Sequence, residues 1–497
     1  MELRRLLDDS HITCPDYEGV CNISAIISDS RRACKDCIFV CVRGLNHDGH
    51  MFVQEAIQAG AAAIVAEENI ILSDTDNVIV ITVPNTRRAL AYLFNAWHGL
   101  PAAKMKFVAV TGTNGKTSVT YFLKRIFELA LYRCGLVGTV SCLSLNRRLI
   151  SDNGDKLSNM TTPDPEQLYS MLAQMVDDSV EYVFMEASSH ALALDKLAPI
   201  LFSAAIFTNL TPDHLDFHGN MGNYLSSKIK LFKKSQLTIV NQDSPYYNDI
   251  KTASAGKVVS CSMEANANYR AVSIKNNGVD GVEYTINSPN AMIRIRSMIP
   301  GNYTVINTLE ACACALELGV KPAIVAQAVA SVTGIDGRME KIKLGNDVDF
   351  SVFIDYAHTP DAMENLLRSV RCFCTSEQRI KVLFGCGGDR DKIKRPVMGE
   401  IATRLADFAV ITSDNCRYES PQLIIEDILV GVNGRDNYKV ILSRKRAIED
   451  IILNAIAGDV IILAGKGHEQ YEINGDERIP FSEKDIVMSA VEKRKNK

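Results

Sequence analysis

The chain has 497 residues, and this length predicts about three domains because one hydrophobic core does not extend over so many residues. Its content of 47% hydrophobic and 23% charged residues is typical of an ordinary soluble globular protein. The net charge of −5, with both signs interspersed, gives no reason to expect nucleic acid as a partner.

Export and membrane insertion are not expected either. The first ten residues carry Arg4, Arg5, Asp8 and Asp9 instead of the apolar core of a signal peptide. No apolar run approaches the roughly 20 residues that a membrane-spanning helix needs. The 14 cysteines are scattered without a convincing metal-binding pattern. A reduced, cytoplasmic setting is therefore expected.

The first domain, residues 1–101, is predicted to be a small α/β unit. Short apolar segments that are typical of strands alternate with helical segments such as 51–59. The predicted strands are 37–42, 63–65 and 78–83.

The second domain, residues 102–333, opens with a predicted strand and a glycine-rich loop. The loop residues are Gly112, Thr113, Asn114, Gly115, Lys116, Thr117 and Ser118. A helix predicted over 119–129 follows, so that backbone N–H groups and the helix N-terminus point at one anion. The lysine can reach terminal phosphates, and the hydroxyl after it can ligate Mg²⁺. Although Val110 stands where a strict phosphate loop has its first glycine, the pattern predicts binding of a nucleoside triphosphate.

The rest of the second domain is predicted to be a parallel α/β sheet with added antiparallel strands. Ligands of such sheets lie at the carboxyl ends of the strands. The predicted parallel strands are 182–186, 204–209 and 237–241, the hairpin strands are 269–274, 281–286 and 291–298, and a helix is predicted over 307–318.

The third domain, residues 334–497, is predicted to be another α/β unit in which polar loops follow the strands. The predicted strands are 350–355, 380–384, 408–412 and 459–464, and the loops are 355–361, 384–392, 412–417 and 465–469. Arginine side chains offer a fork for a carboxylate, and glutamate accepts from an ammonium group. Four such loops on one face of a sheet therefore predict a site for a charged, zwitterionic ligand.

Three further features of the second domain are candidates for chemistry. Glu186 ends a strand beside the phosphate loop, where a carboxylate holds Mg²⁺ against phosphate oxygens. Segment 209–218 gathers two histidines and two aspartates, and a metal site and a polar capping loop explain it about equally well. Lys228, taken alone, is interpreted as one solvated helix lysine among several.

Together, these motifs resemble the Mur ligase family of ATP-dependent peptide-bond-forming enzymes, and within it the MurE type, the tripeptide synthetases. The resemblance extends over essentially the whole chain. Its motifs are 29–31, 39–40 and 48–50 in the first domain, 112–117, 161–163, 186–190 and 213–218 in the second, and 337–340, 355–361, 387–390 and 465–469 in the third.

The resemblance implies three α/β domains: a UDP-sugar-binding first domain, an ATP-binding central domain with a P-loop-type sheet, and a Rossmann-like C-terminal domain that binds an amino acid. It implies the cofactors ATP and Mg²⁺ and the substrates UDP-MurNAc-L-Ala-D-Glu and meso-diaminopimelate. The γ-phosphate would pass to the D-glutamyl carboxylate, and the amine would then attack the acyl phosphate. A monomer that acts on small molecules is expected.

The resemblance also implies roles for individual residues, grouped by ligand. Catalysis and metal binding fall to Lys116, Thr117, Glu186, His214 and Lys228, the last as a carbamate. ATP contacts fall to residues 112–118 and to Asn307, Arg338, Asp355 and His358. Contacts to the UDP-sugar peptide fall to Ser30, Asn46, His47, Thr161, Thr162, Ser188 and Lys196. Contacts to the amino acid fall to Arg390, Asp414, Asn415, Arg417, Gly465 and Glu469.

The choice of amino acid depends on residues 414–417, which resemble the Asp-Asn-Pro-Arg motif of enzymes that add meso-diaminopimelate. Arg417 would bind the second carboxylate, which L-lysine lacks, or would instead pair only with Glu419 or Asp414 at the surface. Cys416 replaces the motif proline and leaves the backbone before Arg417 less restrained. Ligation of L-lysine or another diamino acid, a paralogous amide ligase and a non-catalytic nucleotide-binding protein therefore stay open as alternatives.

Overall fold

A computed structural model describes residues 1–44, 47–70, 78–149, 160–345, 347–432 and 434–495 of the chain. The strands of these residues form three sheets and a separate hairpin, and each of the three sheets lies within one of the predicted domains. The domain boundaries after residues 101 and 333 stay predictions. None of the helices in the described ranges is long and apolar enough to cross a membrane.

The first sheet is parallel, and its strands follow one another in chain order. It comprises β1 Ile26–Ile27, β2 Ile38–Val40, β3 Ala63–Ala66 and β4 Ile79–Thr82, with helices α1 Leu3–Asp9, α2 Val53–Gln58 and α3 Thr86–Trp97. Alternate residues of β2 and β3 belong to two cores, one shared with α1 and α3 and the other with α2. Both strands are therefore apolar throughout, as expected of a parallel sheet that is covered on two faces.

The central sheet is the largest. Its strands are β5 Lys106–Thr111, β6 Cys134–Val137, β7 Cys142–Ser144, β8 Arg147–Arg148, β9 Tyr182–Glu186, β10 Phe202–Phe207, β11 Leu237–Asn241, β12 Lys257–Ser262, β13 Tyr269–Asn276, β14 Val282–Asn287 and β15 Met292–Ser297. The order across the sheet is β15-β14-β13-β12-β11-β10-β5-β9-β6-β7-β8. The strands from β13 to β6 in this order are parallel, whereas β14 and β15 extend one edge and β7 and β8 the other in antiparallel fashion.

The helices of the central part connect these strands and cover the sheet. They are α4 Lys116–Leu129, α5 Pro165–Asp177, α6 Ser189–Ala193, α7 Leu215–His218, α8 Met221–Phe232, α9 Tyr247–Ala253, α10 Asn302–Glu317 and α11 Pro322–Ser331. Because β9, β5 and β10 are neighbouring parallel strands, their carboxyl ends lie side by side.

The third sheet is parallel except at one edge. Its strands are β16 Glu340–Lys341, β17 Ser351–Asp355, β18 Ile380–Phe384, β19 Phe408–Ile411, β20 Tyr438–Val440 and β21 Val460–Ala464, in the order β16-β17-β21-β18-β19-β20. Only β16 is antiparallel to its neighbour. The helices are α12 Pro360–Phe373, α13 Lys394–Leu405, α14 Pro421–Leu429, α15 Arg444–Leu453 and α16 Glu483–Lys495, and the separate hairpin is β22 Tyr471–Asn474 with β23 Glu477–Pro480.

The predicted fold class is confirmed: the chain is α/β, and its central parallel sheet carries added antiparallel strands. The three predicted hairpin strands correspond to β13, β14 and β15. Helix α10 begins at Asn302, five residues before the predicted start at 307. Gly301, with φ of 101°, starts it, and its first turn buries Thr304 and Val305. Packing stabilises this turn, whose polar and β-branched residues lack a helical pattern.

Candidate active site

The glycine-rich loop connects β5 to α4 and lies between neighbouring strand ends. A Cβ added at Gly112 would overlap the Thr208 hydroxyl, and one added at Gly115 would overlap the Asn307 amide oxygen. Gly115 also has φ of 88°, a conformation that favours glycine. These two glycines let the loop backbone lie directly against β10 and α10, so the predicted ATP residue Asn307 does reach the loop.

Two lysines lie at this loop. Lys116 Nζ donates to the carbonyl oxygens of Gly112 and Thr113, each at 2.9 Å. Lys228 is almost completely buried, and its Nζ lies 3.4 Å from the Thr111 hydroxyl oxygen. Burial, with the neighbouring Lys116 charge, lowers the pKa of Lys228 well below its ordinary value. The interpretation of Lys228 as a solvated helix lysine is therefore wrong, because helix α8 presents it to the core.

Glu186 lies at the end of β9, next to the loop. Its Oε1 accepts from the Thr117 hydroxyl at 3.0 Å and from the Thr139 backbone N–H at 3.0 Å, and its Oε2 accepts from the Thr139 hydroxyl at 2.9 Å. The pair of Thr117 and Glu186 offers oxygen donors of the kind that Mg²⁺ prefers. Among the described residues, no three His, Cys, Asp or Glu side chains form a metal-binding cluster. This set therefore fits an ion that phosphates and waters help to bind, as is usual for Mg²⁺.

The histidines of segment 209–218 divide into two kinds. His214 precedes helix α7 with φ of 53°, and its Nε2 lies 3.4 Å from Asp213 Oδ2. Burial lowers the pKa of His214, which favours the neutral imidazole that binds metals. His218 points inward instead, and its Nε2 lies 2.9 Å from the Ser189 hydroxyl. His218 is therefore engaged within the protein, and the role of His214 as a metal ligand stays a prediction.

Side chains of the third sheet's domain contact the phosphate loop directly. Arg338 Nη2 donates to the Thr117 hydroxyl at 3.2 Å, and its guanidinium lies 4.9 Å from the ring centroid of Tyr356. Asp361 Oδ2 accepts from Asn114 Nδ2 and from the Thr211 hydroxyl, both at 2.9 Å. Sequence reasoning did not single out Asp361, although it lies in the predicted loop 355–361. The two parts of the chain are therefore in contact at the nucleotide site.

Asp355 is the last residue of β17, and His358 lies in the loop that follows it. Asp355 accepts from the backbone N–H groups of Met339 at 2.8 Å and Ala357 at 2.9 Å, and burial raises the pKa of its carboxyl. His358 has an exposed ring whose Nδ1 lies 2.8 Å from the Tyr356 carbonyl oxygen. Asp355 thus anchors the segment that carries the predicted ATP-binding arginine, and the ring of His358 stays accessible. Ser118, the last residue of the predicted ATP-binding loop, lies in the first turn of α4.

A polar pocket lies at the carboxyl ends of β19 and β21. Asn415 Nδ2 donates to Glu469 Oε2 at 2.8 Å, and its Oδ1 accepts from Lys466 Nζ at 3.0 Å. Burial would raise the pKa of Asp414, but the charges of Lys466 and Arg444 outweigh it and lower the pKa. Burial raises the pKa of Glu469. Lys466, which is fully buried, is the residue that sequence reasoning missed, and its place in the charged loop 465–469 was the available signal.

The predicted selector Arg417 lies at the edge of this pocket. Its Nη1 donates to the carbonyl oxygen of Gly388 at 2.8 Å, and no hydrogen bond of the described residues involves its Nε or Nη2. Glu419 is bound by the fully buried Arg395 instead, at 2.9 and 3.0 Å. The alternative that Arg417 merely pairs with Glu419 or Asp414 is therefore wrong.

Two further predicted amino-acid contacts border the pocket. Gly465 has φ of 110°, and a Cβ added there would lie 2.9 Å from Asp414 Oδ2. Arg390 is exposed on the loop after β18. The structure therefore brings Asp414, Asn415, Gly465 and Glu469 together and leaves Arg390 at the surface.

The predicted UDP-sugar residues of the first domain are less enclosed. Ser30 is half-buried and follows Asp29, whose carboxylate accepts from the Arg31 backbone N–H at 3.1 Å. His47 is exposed, and Asn46 lies outside the described residues. The adjacent Arg32 binds both carboxylate oxygens of Glu166 at 2.9 and 2.7 Å, which ties this surface to helix α5.

The central-domain residues that are predicted to contact the same substrate lie close to the end of β9, where Glu186 is. The Thr162 hydroxyl donates to the Glu186 carbonyl oxygen at 2.8 Å and accepts from the Ser188 backbone N–H at 3.0 Å. The Thr161 and Thr139 hydroxyl oxygens lie 3.0 Å apart. Lys196 is buried, and its Nζ pairs with Asp164 Oδ1 at 2.7 Å. A direct substrate contact by Lys196 would therefore require this ion pair to open.

Comparison with known proteins matches three domain descriptions: "Mur ligase family, catalytic domain" over residues 22–98, "Mur ligase middle domain" over 110–315 and "Mur ligase, glutamate ligase domain" over 337–467. The chain is 39% identical over 487 residues to a UDP-N-acetylmuramoyl-L-alanyl-D-glutamate–2,6-diaminopimelate ligase of Clostridium perfringens, covering 96% of this chain and 98% of that one. A protein of the same name from Caldanaerobacter subterraneus is 41% identical over 469 residues, 94% of each chain. A solved structure of a ligase of that name covers all of both chains with a TM-score of 0.71 and 26% identity.

Proposed function

Because the chain belongs to the Mur ligase family, we propose that it uses ATP to join meso-diaminopimelate to the D-glutamyl carboxylate of UDP-MurNAc-L-Ala-D-Glu. The product would be a precursor of peptidoglycan. The observation that carries the choice of amino acid is Arg417, whose Nε and Nη2 make no hydrogen bond among the described residues and can therefore receive a carboxylate.

The phosphate loop would bind ATP. Its backbone N–H groups and the N-terminus of α4 present partial positive charge to the phosphates. Lys116, which donates to the carbonyl oxygens of Gly112 and Thr113, would turn to the γ-phosphate. Arg338 approaches the same phosphates from the third domain, next to Thr117.

Thr117 and Glu186 would hold one Mg²⁺ and His214 would serve a second, with the carbamate of Lys228 as a further oxygen ligand. These oxygen and neutral imidazole donors fit Mg²⁺. When bound, the ion supplies positive charge between two anions that must approach each other. The lowered pKa of Lys228 supports the carbamate, because only a neutral amine attacks CO₂. In that step an N–C bond forms and one proton leaves to solvent.

The chemistry itself would proceed in two steps. The D-glutamyl carboxylate attacks the γ-phosphorus, and ADP leaves. The amine of the amino acid then attacks the acyl carbon, phosphate leaves and the amine loses a proton. Contacts of Arg338 and Asp361 with the phosphate loop keep the third domain over the site, which excludes water that would hydrolyse the acyl phosphate.

The amino acid would lie in the pocket of the third domain. Asp414 and Glu469 would accept from its distal ammonium group, and Arg417 would bind the carboxylate beside it. Arg390 would contribute from the surface. L-lysine has the ammonium group but not this carboxylate, so the arginine fork would remain empty and the affinity would fall.

The other substrate would extend from the first domain to Glu186. Ser30, Asn46 and His47 would contact the UDP end, and the peptide would pass the threonines behind Glu186 and Lys196 at the end of α6. We place the reaction in the cytoplasm, where ATP is available, and expect a monomer.

Phosphate release tests this proposal. The purified protein receives UDP-MurNAc-L-Ala-D-Glu, ATP and Mg²⁺, with meso-diaminopimelate or L-lysine in parallel reactions. We expect release with meso-diaminopimelate and little with L-lysine. Release with L-lysine alone would keep the ligase chemistry but reject Arg417 as selector, and no release with either would reject the proposed substrates.

A further inference from the structure

The hairpin of β22 and β23 forms a sheet of its own beside the amino-acid pocket. All four residues of β23 are exposed. A two-stranded hairpin is at best marginally stable by itself in water. Its conformation must therefore depend on what it contacts.

Two of its main-chain contacts are with Arg417. The Arg417 backbone N–H donates to the Ile473 carbonyl oxygen at 3.1 Å, and the Gly475 N–H donates to the Arg417 carbonyl oxygen at 2.8 Å. Arg417 itself has φ of 52°, a left-handed conformation that is costly for a residue with a side chain. The hairpin thus forms hydrogen bonds with both the backbone N–H and the backbone carbonyl oxygen of a strained residue.

The residues on either side of Arg417 are held by the same hairpin. Asn415 Oδ1 accepts from the Ile473 backbone N–H at 3.0 Å, and the Tyr418 hydroxyl donates to Asp476 Oδ1. Tyr418 is 71% exposed, so this last bond is at the surface and apart from the pocket. Asn415 in turn contacts Glu469, which connects the hairpin to both ends of the predicted amino-acid site.

We propose that this hairpin, residues 471–480, is a specificity element that keeps Arg417 aimed at the second carboxylate of the amino acid. The inference rests on the proposed function and adds Tyr418 and Asp476 to it as positioning residues. A bidentate arginine–carboxylate pair depends on the orientation of a planar fork. A loosened Arg417 backbone therefore weakens binding of meso-diaminopimelate but leaves L-lysine, which makes no such pair, unaffected.

The variants Tyr418→Phe and Asp476→Ala each remove one partner of the surface bond. We expect each to raise KM for meso-diaminopimelate about three- to tenfold, the range that one hydrogen bond accounts for, with kcat nearly unchanged. The kcat/KM for L-lysine should stay constant, so the ratio of kcat/KM for meso-diaminopimelate to kcat/KM for L-lysine should fall. The double variant should resemble either single variant, because both remove the same bond. Glu477→Ala, at an exposed neighbouring position, is the matched control.

Hydrogen exchange gives a readout that does not depend on turnover. The backbone amides of Arg417 and Gly475 should exchange faster in both variants than in the wild type and the control. Three results would each overturn the inference: an unchanged ratio of kcat/KM for meso-diaminopimelate to kcat/KM for L-lysine, an equal loss of kcat/KM with both amino acids, or unchanged hydrogen exchange at Arg417 and Gly475. A wild type that does not ligate meso-diaminopimelate would reject the proposed function itself, whereas an active wild type with unaffected variants rejects only the role of the hairpin.

Discussion

The two lysines at the phosphate loop differ in what their surroundings allow. Lys116 contacts carbonyl oxygens of its own loop and can exchange them for phosphate oxygens. Among the residues that the structure describes, Lys228 has only the Thr111 hydroxyl within hydrogen-bond distance, at 3.4 Å, and burial favours its neutral form. The second lysine is thus suited to react with CO₂, and the first to bind an anion.

Lys228→Ala should lower kcat by about 100-fold or more, because a ligand that places a cation is worth several kcal/mol. The wild type should lose activity in CO₂-free buffer and regain it with bicarbonate, whereas the variant should not respond. In the presence of ¹³C-bicarbonate, NMR should detect a carbamate signal that the variant lacks. Lys230→Ala, on the exposed face of the same helix, is the control, and a carbamate signal that persists in Lys228→Ala would contradict the assignment.

Glu186→Gln tests the second predicted ligand. Its amide oxygen still accepts from Thr117 or Thr139, so the fold should be retained and the circular dichroism spectrum unchanged. The lost carboxylate charge should lower kcat by about 100-fold. Glu181→Gln, just before the same strand, should have no effect. If Glu186→Gln kept kcat within threefold, the carboxylate would have no part in the reaction.

At the scale of elements, helix α13 connects the third domain's loops to α14. The fully buried Arg395 of α13 binds Glu419 through both carboxylate oxygens and Asp427 of α14 at 2.8 Å. Glu419 also accepts from the Asp389 backbone N–H at 2.5 Å. The loops that border the polar pocket at β19 and β21 are thus connected to one buried guanidinium.

This network gives a pH-dependent contribution to stability. The hydrogen bond from Arg395 lowers the pKa of Glu419 from 4.5 to about 2. Because the unfolded state binds the proton more readily, the contribution is complete above the unfolded pKa and disappears as pH falls towards about 2. Because solvent screens part of this interaction, Glu419→Gln should cost about 1 to 2 kcal/mol of unfolding free energy at pH 7 and little near pH 2. Urea unfolding at several pH values measures this, with exposed Glu426→Gln as control, and a cost independent of pH would contradict it.

Element types followed from local patterns, but contacts between elements did not. The strands at 182–186, 237–241 and 380–384 have the predicted bounds because each is a short run of mainly apolar residues. The buried side of α8 was not predictable, because its lysines look alike in sequence and only packing distinguishes Lys228 from Lys230. The sequence also did not reveal that Glu419 pairs with Arg395, 24 residues away, and that Arg417 therefore does not pair with Glu419.

At the scale of the whole molecule, side chains of the third domain form hydrogen bonds with the central domain beside the phosphate loop. Asp361 accepts two hydrogen bonds from the central domain, and Arg338 donates one. Lys341 also pairs with Asp280 across the same boundary at 2.8 Å, and apolar side chains of both domains share one core. In the proposed function, the bonds of Asp361 and Arg338 would help to close the third domain over ATP.

Asp361→Ala should weaken this closure. We expect a larger radius of gyration by small-angle X-ray scattering and a loss of kcat of about tenfold or more, because hydrogen bonds to a charged group contribute most. Asp361→Asn keeps one acceptor oxygen and should have a smaller effect on both quantities. An unchanged radius of gyration in the alanine variant would show that other contacts hold the domain.

The sequence by itself determined the α/β class, the added antiparallel strands, the phosphate loop and the membership of a ligase family, because each depends on residues that are adjacent or regularly spaced. Only the tertiary structure decided that Lys228 is buried, that Arg417 Nε and Nη2 make no hydrogen bond among the described residues, and that Asp361 bonds to Asn114 across 247 residues of chain. The physical reason is that burial and long-range hydrogen bonds arise when distant segments pack together, and no local pattern records which segments those are.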